Sequence, residues 1–123
     1  MRRPTLLELS QRLARRETTS RALVEESLAR IADPTGEGVR TFLTVYADRS
    51  RAEADAIDAA RAKREALPRF AGVPVAIKDL FDVAGEPTRA GSCATAEAPP
   101  ATADAEAVAL MREPASSSSA RPT

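Results

Sequence analysis

The chain contains no histidine, no tryptophan and a single cysteine, Cys93. The absence of histidine excludes the Ser-His-Asp and Cys-His catalytic arrangements and most zinc sites. One cysteine can form neither an internal disulfide nor a cysteine-based metal site, and we expect Cys93 to be a small, semi-buried turn residue. Any catalysis therefore depends on lysine, serine, threonine, tyrosine or carboxylate side chains, and neither a metal nor another cofactor is expected.

Aromatic residues and net charge are also scarce. The chain has only 123 residues, so one domain at most is expected. Aromatics make up 3% of it, so we expect a core of Ala, Val, Leu and Ile. The 18 basic and 18 acidic residues cancel, which argues against a nucleic-acid partner. No run of about 18 apolar residues occurs, so no membrane span is expected. The polar N-terminal segment has no apolar signal core, and we expect a cytoplasmic protein.

Apolar residues recur at helical spacing in two N-terminal segments. Four leucines mark the first segment: Leu6, Leu7, Leu9 and Leu13. Thr5 and Glu8 form a capping-box pattern at its start. Thr18 or Thr19 opens a second helix, which extends through Ile31 to a loop rich in proline and glycine. Together the two segments predict an N-terminal helical hairpin.

The rest of the chain alternates between strand-like and helix-like segments. Residues 41–45 and 72–77 are β-prone, residues 50–65 predict a long polar helix, and residues 101–113 predict a further helix. This alternation predicts an α/β fold.

Lys78 ends the most apolar strand-like run of the chain, and it is one of only two lysines. Arginine stays protonated in proteins, whereas a lysine desolvated by apolar neighbours can lose its proton and act as a base. On general grounds, a lysine at the end of a strand more often reaches solvent. The residues alone leave both interpretations open.

Three motifs follow one another around Lys78. Residues 72–79 read Gly-Val-Pro-Val-Ala-Ile-Lys-Asp, residues 82–85 read Asp-Val-Ala-Gly, and residues 88–92 read Thr-Arg-Ala-Gly-Ser. In this order they resemble the amidase signature family of amide hydrolases, and the resemblance extends over nearly all of residues 5–113. It implies that residues 1–113 are the N-terminal part of an amidase domain. The implied fold is a helical hairpin followed by the first strands and helices of a mixed sheet, truncated.

The resemblance also implies a role for Lys78. In the family, the lysine at this position is the base of a Ser-cisSer-Lys triad, neutral in a buried site. Neither serine of that triad is matched here, because Ser92 is not the nucleophile and residues 116–119 lie too close to Lys78 in sequence. The parent enzyme would hydrolyse a small-molecule carboxylic amide to an acid plus ammonia or an amine. This chain is then expected to be catalytically incomplete.

Other functions remain open. Some members of the same family are the amidase subunit of a glutamine-dependent tRNA amidotransferase. A protein of another class, a small non-catalytic α/β interaction module with a serine-rich linker, would also fit the composition. A Schiff-base enzyme that uses Lys78 has little support beyond one lysine with apolar neighbours.

Residues 114–123 change abruptly to a serine-rich segment, which predicts a disordered or frameshifted tail. The corresponding family segment reads close to Ala-Gly-Val-Val-Val-Val-Gly-Lys-Thr-Asn. Written with the GC-rich codons GCC GGC GTC GTC GTC GTC GGC AAG ACC AAC, chosen to fit, and read one base later, this segment encodes Pro-Ala-Ser-Ser-Ser-Ser-Ala-Arg-Pro-Thr. That peptide is identical to residues 114–123. We therefore expect a one-base deletion after codon 113.

Overall fold

The computed structural model describes residues 2–95 and 97–112, and within them it is helical. The helices are α1 (Leu6–Ala14), α2 (Ser20–Ala32), α3 (Gly38–Thr41), α4 (Ala47–Ala62) and α5 (Glu106–Arg112), with a 3-10 turn at Cys93–Thr95. The chain divides into two compact units between Pro74 and Val75. Among the described helices, none has the length and apolar character needed to cross a membrane.

Both N-terminal helices begin where the sequence predicts. The Thr5 side chain accepts a hydrogen bond from the backbone N–H of Glu8, and the Glu8 carboxylate accepts one from the N–H of Thr5, at 3.2 and 2.6 Å. This is the reciprocal capping box, which satisfies two N–H groups that the helix leaves free. Thr19 caps α2 by accepting a bond from the N–H of Ala22 at 3.0 Å. Local side-chain chemistry therefore fixes both helix starts.

Helices α1 and α4 end in the same way, through an arginine in the left-handed backbone conformation. Arg16 and Arg64 each have φ of 59°. The N–H of Glu17 donates to the carbonyl of Arg12, and the N–H of Glu65 donates to the carbonyl of Ala60. These bonds close the last turn and satisfy carbonyls that the helix leaves free. The helix predicted at 50–65 therefore ends earlier than expected, at Ala62. It also begins earlier, at Ala47.

The core of the N-terminal unit is small and aliphatic. Helix α2 packs mainly against α4 and, to a lesser extent, against α3, so its main partner is α4 and not the α1 of the predicted hairpin. The buried apolar side chains of this unit are Leu13, Leu23, Val24 and Ala54. Helix α1 is held to the segment after α4 by a 2.6 Å hydrogen bond from the Ser10 hydroxyl to the carbonyl of Arg69.

The strands predicted at 41–45 and 72–77 are not formed within the described residues. Residues 38–41 form the short helix α3, and residues 73–78 have no regular secondary structure. A strand exists only when a second segment lies alongside it and exchanges hydrogen bonds with it. The β-prone composition of both segments is therefore not sufficient, and the expected mixed sheet is absent from this part of the chain.

The last predicted helix is also shorter than expected. It was predicted over residues 101–113, and α5 extends over Glu106–Arg112. Residues 101–105 lie in the loop before the helix, which is held by backbone hydrogen bonds. One of these runs from the N–H of Ala105 to the carbonyl of Asp82 at 2.8 Å. The tail predicted at 114–123 lies outside the described residues.

Candidate functional site

Lys78 lies in the C-terminal unit, at the start of a tight turn. Its backbone carbonyl accepts hydrogen bonds from the N–H groups of Leu80 at 2.7 Å and Phe81 at 3.1 Å. These bonds form a turn directly after residues 73–78, which have no regular secondary structure.

The surroundings of Lys78 differ from the buried site that the sequence predicts, because the residue is exposed. Its neighbours Val75 and Ile77 are 63% and 39% exposed, so these apolar side chains do not remove it from water. Within the described residues, no hydrogen bond or ion pair engages the Lys78 ammonium group.

Asp79 ties the turn to the loop that follows. Its Oδ1 accepts a hydrogen bond from the backbone N–H of Arg89 at 3.2 Å. The other oxygen, Oδ2, is buried and makes no hydrogen bond within the described residues. Buried carboxylate oxygens normally accept a hydrogen bond. Asp79, the residue after Lys78, therefore has one oxygen to which the described residues donate no hydrogen bond.

Two further carboxylates organise the same loop. Asp82 Oδ1 accepts a 2.6 Å hydrogen bond from the hydroxyl of Thr88. Asp104 Oδ1 accepts a 2.8 Å bond from the N–H of Ala84, and its Oδ2 pairs with Arg112 at 2.7 Å. Asp79, Asp82 and Asp104 therefore act as scaffold carboxylates that hold this loop in place.

Two backbone hydrogen bonds to Ala101 complete the scaffold. The N–H of Gly85 donates to the carbonyl of Ala101 at 2.8 Å, and the N–H of Ala101 donates to the carbonyl of Glu86 at 2.9 Å. Gly85 has φ of +85°, a conformation that L side chains rarely adopt. A shallow cavity of about 480 Å³ opens beside this pair, lined by Asp82, Thr88, Asp104 and residues 98–103.

The serine and the cysteine near Lys78 are both exposed. The Ser92 hydroxyl oxygen accepts a 3.2 Å bond from the N–H of Ala94, which makes it a local turn residue. Cys93 is free and exposed, so the expectation of a semi-buried cysteine is wrong. Its 3-10 turn lies shortly after Ala90 and Gly91, whose φ values of 51° and 69° are left-handed. Neither residue replaces the two serines that a lysine base would serve.

Asp104 is a structural residue that sequence reasoning missed. It lies two positions before α5, where an acidic residue is ordinary, yet it fixes both Ala84 and the last residue of that helix. The local sequence shows only an Asp shortly before a helix, a pattern typical of a helix cap. This pattern cannot indicate that Asp104 bonds to Ala84, 20 positions away.

Known proteins resemble this chain over most of its length. The family model described as Amidase matches residues 22–115. The AtzE subunit of 1-carboxybiuret hydrolase from Pseudomonas sp. (strain ADP) is 42% identical over 106 residues, which are 86% of this chain and 23% of that protein. A glutamyl-tRNA(Gln) amidotransferase subunit of Anaeromyxobacter dehalogenans (strain 2CP-C) is 48% identical over 87 residues, 71% of this chain and 18% of that protein.

A solved structure shares the fold of this region. It belongs to a vestigial protein complex described as revealing the evolutionary origins of an s-triazine catabolic enzyme, with a TM-score of 0.79 and 41% identity. The alignment covers 88% of this chain and 23% of that chain. The chain thus spans about a quarter or less of the length of the proteins that it matches.

Proposed function

Because this chain belongs to the amidase family, we propose that it is the N-terminal part of an amide hydrolase in which Lys78 is the catalytic base. The observation that carries the proposal is the run of residues 72–79, which ends in Lys78-Asp79 and lies inside the matched region. The exposed, unengaged ammonium group supports it, since a base must be free to meet a serine supplied from elsewhere in an amidase domain.

The proposed chemistry passes one proton along a short chain of groups. A bridging serine takes the proton of the nucleophilic serine and hands its own to the neutral amine of Lys78. The oxygen of the nucleophilic serine then bonds to the amide carbon. The C–N bond breaks, and the proton held by Lys78 passes to the departing ammonia or amine. Water hydrolyses the resulting acyl-enzyme. The matched motifs of this chain contain Lys78 and neither of the two serines.

Two substrate classes follow from the relatives. The likeness to a 1-carboxybiuret hydrolase would suggest a small amide such as carboxybiuret, and the likeness to an amidotransferase would suggest glutamine as the ammonia source. The higher coverage of this chain by the first relative, 86% against 71%, favours the small amide. Genes for the other amidotransferase subunits next to this one would favour glutamine instead.

A chimeric enzyme tests the role of Lys78. Residues 1–112 of this chain replace the aligned region of AtzE, and ammonia release from 1-carboxybiuret is measured. We expect the substitutions K78A and K78R each to lower kcat at least about 100-fold, since a general base contributes that much or more and arginine cannot act as one.

The matched control is Lys63, the only other lysine of the chain, which caps the C-terminus of α4 and is exposed. K63A should change kcat by no more than about twofold, in line with a surface substitution. Retained activity in K78A, with circular dichroism like that of the unsubstituted chimera, would falsify the assignment of Lys78 as the base.

We also propose that residues 114–123 are read out of frame. The support is the codon relationship, in which a valine-rich family segment read one base late gives all of this serine-rich sequence. Sequencing the locus decides the matter. Amidase sequence in another frame beyond codon 113 is expected, and the lack of any such sequence would overturn the proposal.

The alternative class, a non-catalytic interaction module, is distinguished by folding. A module that functions alone must unfold cooperatively, whereas part of a larger domain need not. The exposure of Val75, Leu80 and Phe81, at 63%, 61% and 45%, favours the part of a larger domain. A single sharp thermal transition in the purified chain would favour the module.

A further inference from the structure

Five arginines surround one open groove in the N-terminal unit, beside α1 and α2. The groove has a volume of about 840 Å³, and its arginines are Arg2, Arg3, Arg12, Arg15 and Arg30. Only two carboxylates, Glu8 and Glu26, lie among them, which leaves a formal excess of three positive charges. The whole chain has no net charge, so this excess is a local feature.

Both carboxylates of the groove are already engaged. Glu8 accepts the 2.6 Å bond from the N–H of Thr5 and pairs with Arg2, and the Thr5 N–H in particular holds the pKa of Glu8 below its usual range. Glu26 pairs with Arg30, one helical turn away on α2. Neither acid is therefore available to neutralise the remaining arginines.

The remaining arginines have weak partners or none. Arg15 lies 3.8 Å from Glu17, and the described residues provide no ion pair for Arg3 or Arg12. The interface of α2 and α4 shows the opposite arrangement, since Arg21 and Arg51 both bond to Glu25 at 2.8 Å. Within the part of the chain that the structure describes, the groove therefore holds two arginines without an ion pair and a third whose ion pair is long.

We infer that this groove binds a small phosphate-bearing anion through Arg3, Arg12 and Arg15. Guanidinium groups present paired N–H donors whose spacing matches phosphate oxygens, and charge-assisted bonds of this kind are the stronger ones. A groove of this volume exceeds a single phosphate and suits a diphosphate or a larger phosphate ester. Exposure of the arginines to solvent makes the binding sensitive to salt.

The test titrates the full chain with inorganic pyrophosphate at low salt and follows backbone amide shifts by NMR. We expect shifts centred on α1 and on the segment before it. The double variant R3Q/R12Q should weaken binding at least about tenfold, a loss of roughly 1.4 kcal/mol. The control variant R40Q/R49Q removes the same charge from exposed arginines of α3 and α4 and should bind within about twofold of the unsubstituted chain.

Three outcomes would overturn the inference. Equal weakening by both double variants would show a non-specific charge effect. Malonate that binds as tightly as pyrophosphate would remove the phosphate preference, and a short single-stranded RNA that binds when pyrophosphate does not would indicate a nucleic-acid surface. Since Arg3 precedes α1 in the extended N-terminal segment, the single variant R3Q keeps the test valid if the double variant fails to fold.

Discussion

The Asp58 carboxylate accepts a 2.8 Å hydrogen bond from the backbone N–H of Ser20, and its second oxygen accepts a 3.0 Å bond from the N–H of Arg21. A residue in the middle of α4 therefore caps the first turn of α2, 38 positions earlier in the chain. The same carboxylate places a negative charge at the positive end of the α2 dipole. One side chain thus joins the two longest helices of the N-terminal unit.

Removal of this cap should destabilise the N-terminal unit. We expect D58A to lower the free energy of unfolding by about 1 kcal/mol, the usual cost of losing a helix cap. The control is E53A on the same helix, which breaks an exposed i,i+4 pair with Arg49 and should cost only about 0.3–0.5 kcal/mol. Urea titration followed by circular dichroism measures both, and equal costs would show that the Asp58 bonds add nothing beyond surface charge.

The Glu25 carboxylate gives the chain an acid-sensitive contact. Hydrogen bonds from Arg51 and then Arg21 lower its pKa from 4.5 to about 2. Because the pKa of Glu25 is lower in the folded chain, its ionised carboxylate stabilises the fold fully above pH 4.5. This stabilisation is lost as the pH falls towards 2. E25Q should therefore lower stability at neutral pH and flatten its dependence on pH between 4.5 and 2. Urea midpoints measured across that range test this, and parallel curves for both proteins would contradict it.

Leu13 is the main anchor of α1, since it is only 1% exposed. L13A should cost roughly 2–5 kcal/mol, because deletion of a buried leucine leaves a cavity that neighbours fill only partly. In a core this small, that is a large share of the total stability. L6A removes the same atoms from a side chain that is 50% exposed and should change stability by less than about 0.5 kcal/mol. A loss of helical circular dichroism in L13A alone is the expected result.

The starts of α1 and α2 could be predicted from the sequence, and the ends of α1 and α4 could not. Thr5, Glu8 and Thr19 cap helices through contacts within three positions, which a sequence pattern contains. The ends of α1 and α4 depend on Arg16 and Arg64 in a left-handed conformation. Glycine is the usual residue there, so an arginine at that position carries no signal.

The same distinction applies to the candidate site. Lys78 could be selected from its motif, because the order of residues along the chain carries that information. Its exposure, and the links from Asp79 to Arg89 and from Asp104 to Ala84, depend on segments 10 and 20 positions apart. The failed strand predictions have a similar cause, since pairing depends on a neighbouring segment and not on β-prone composition.

A side chain at Gly72 would combine backbone strain with a close contact inside the N-terminal unit. Its φ is +91°, and a Cβ would lie 1.9 Å from the Ser20 Oγ, which is buried without a hydrogen bond within the described residues. G85A, at φ +85° with open space around it, should cost about 1–2 kcal/mol from backbone strain alone. G72A should cost about 1–3 kcal/mol more, because overpacking adds to that strain. S20A should recover part of the extra cost in the double variant, and a double-mutant cycle of urea midpoints that shows no coupling would contradict the predicted clash.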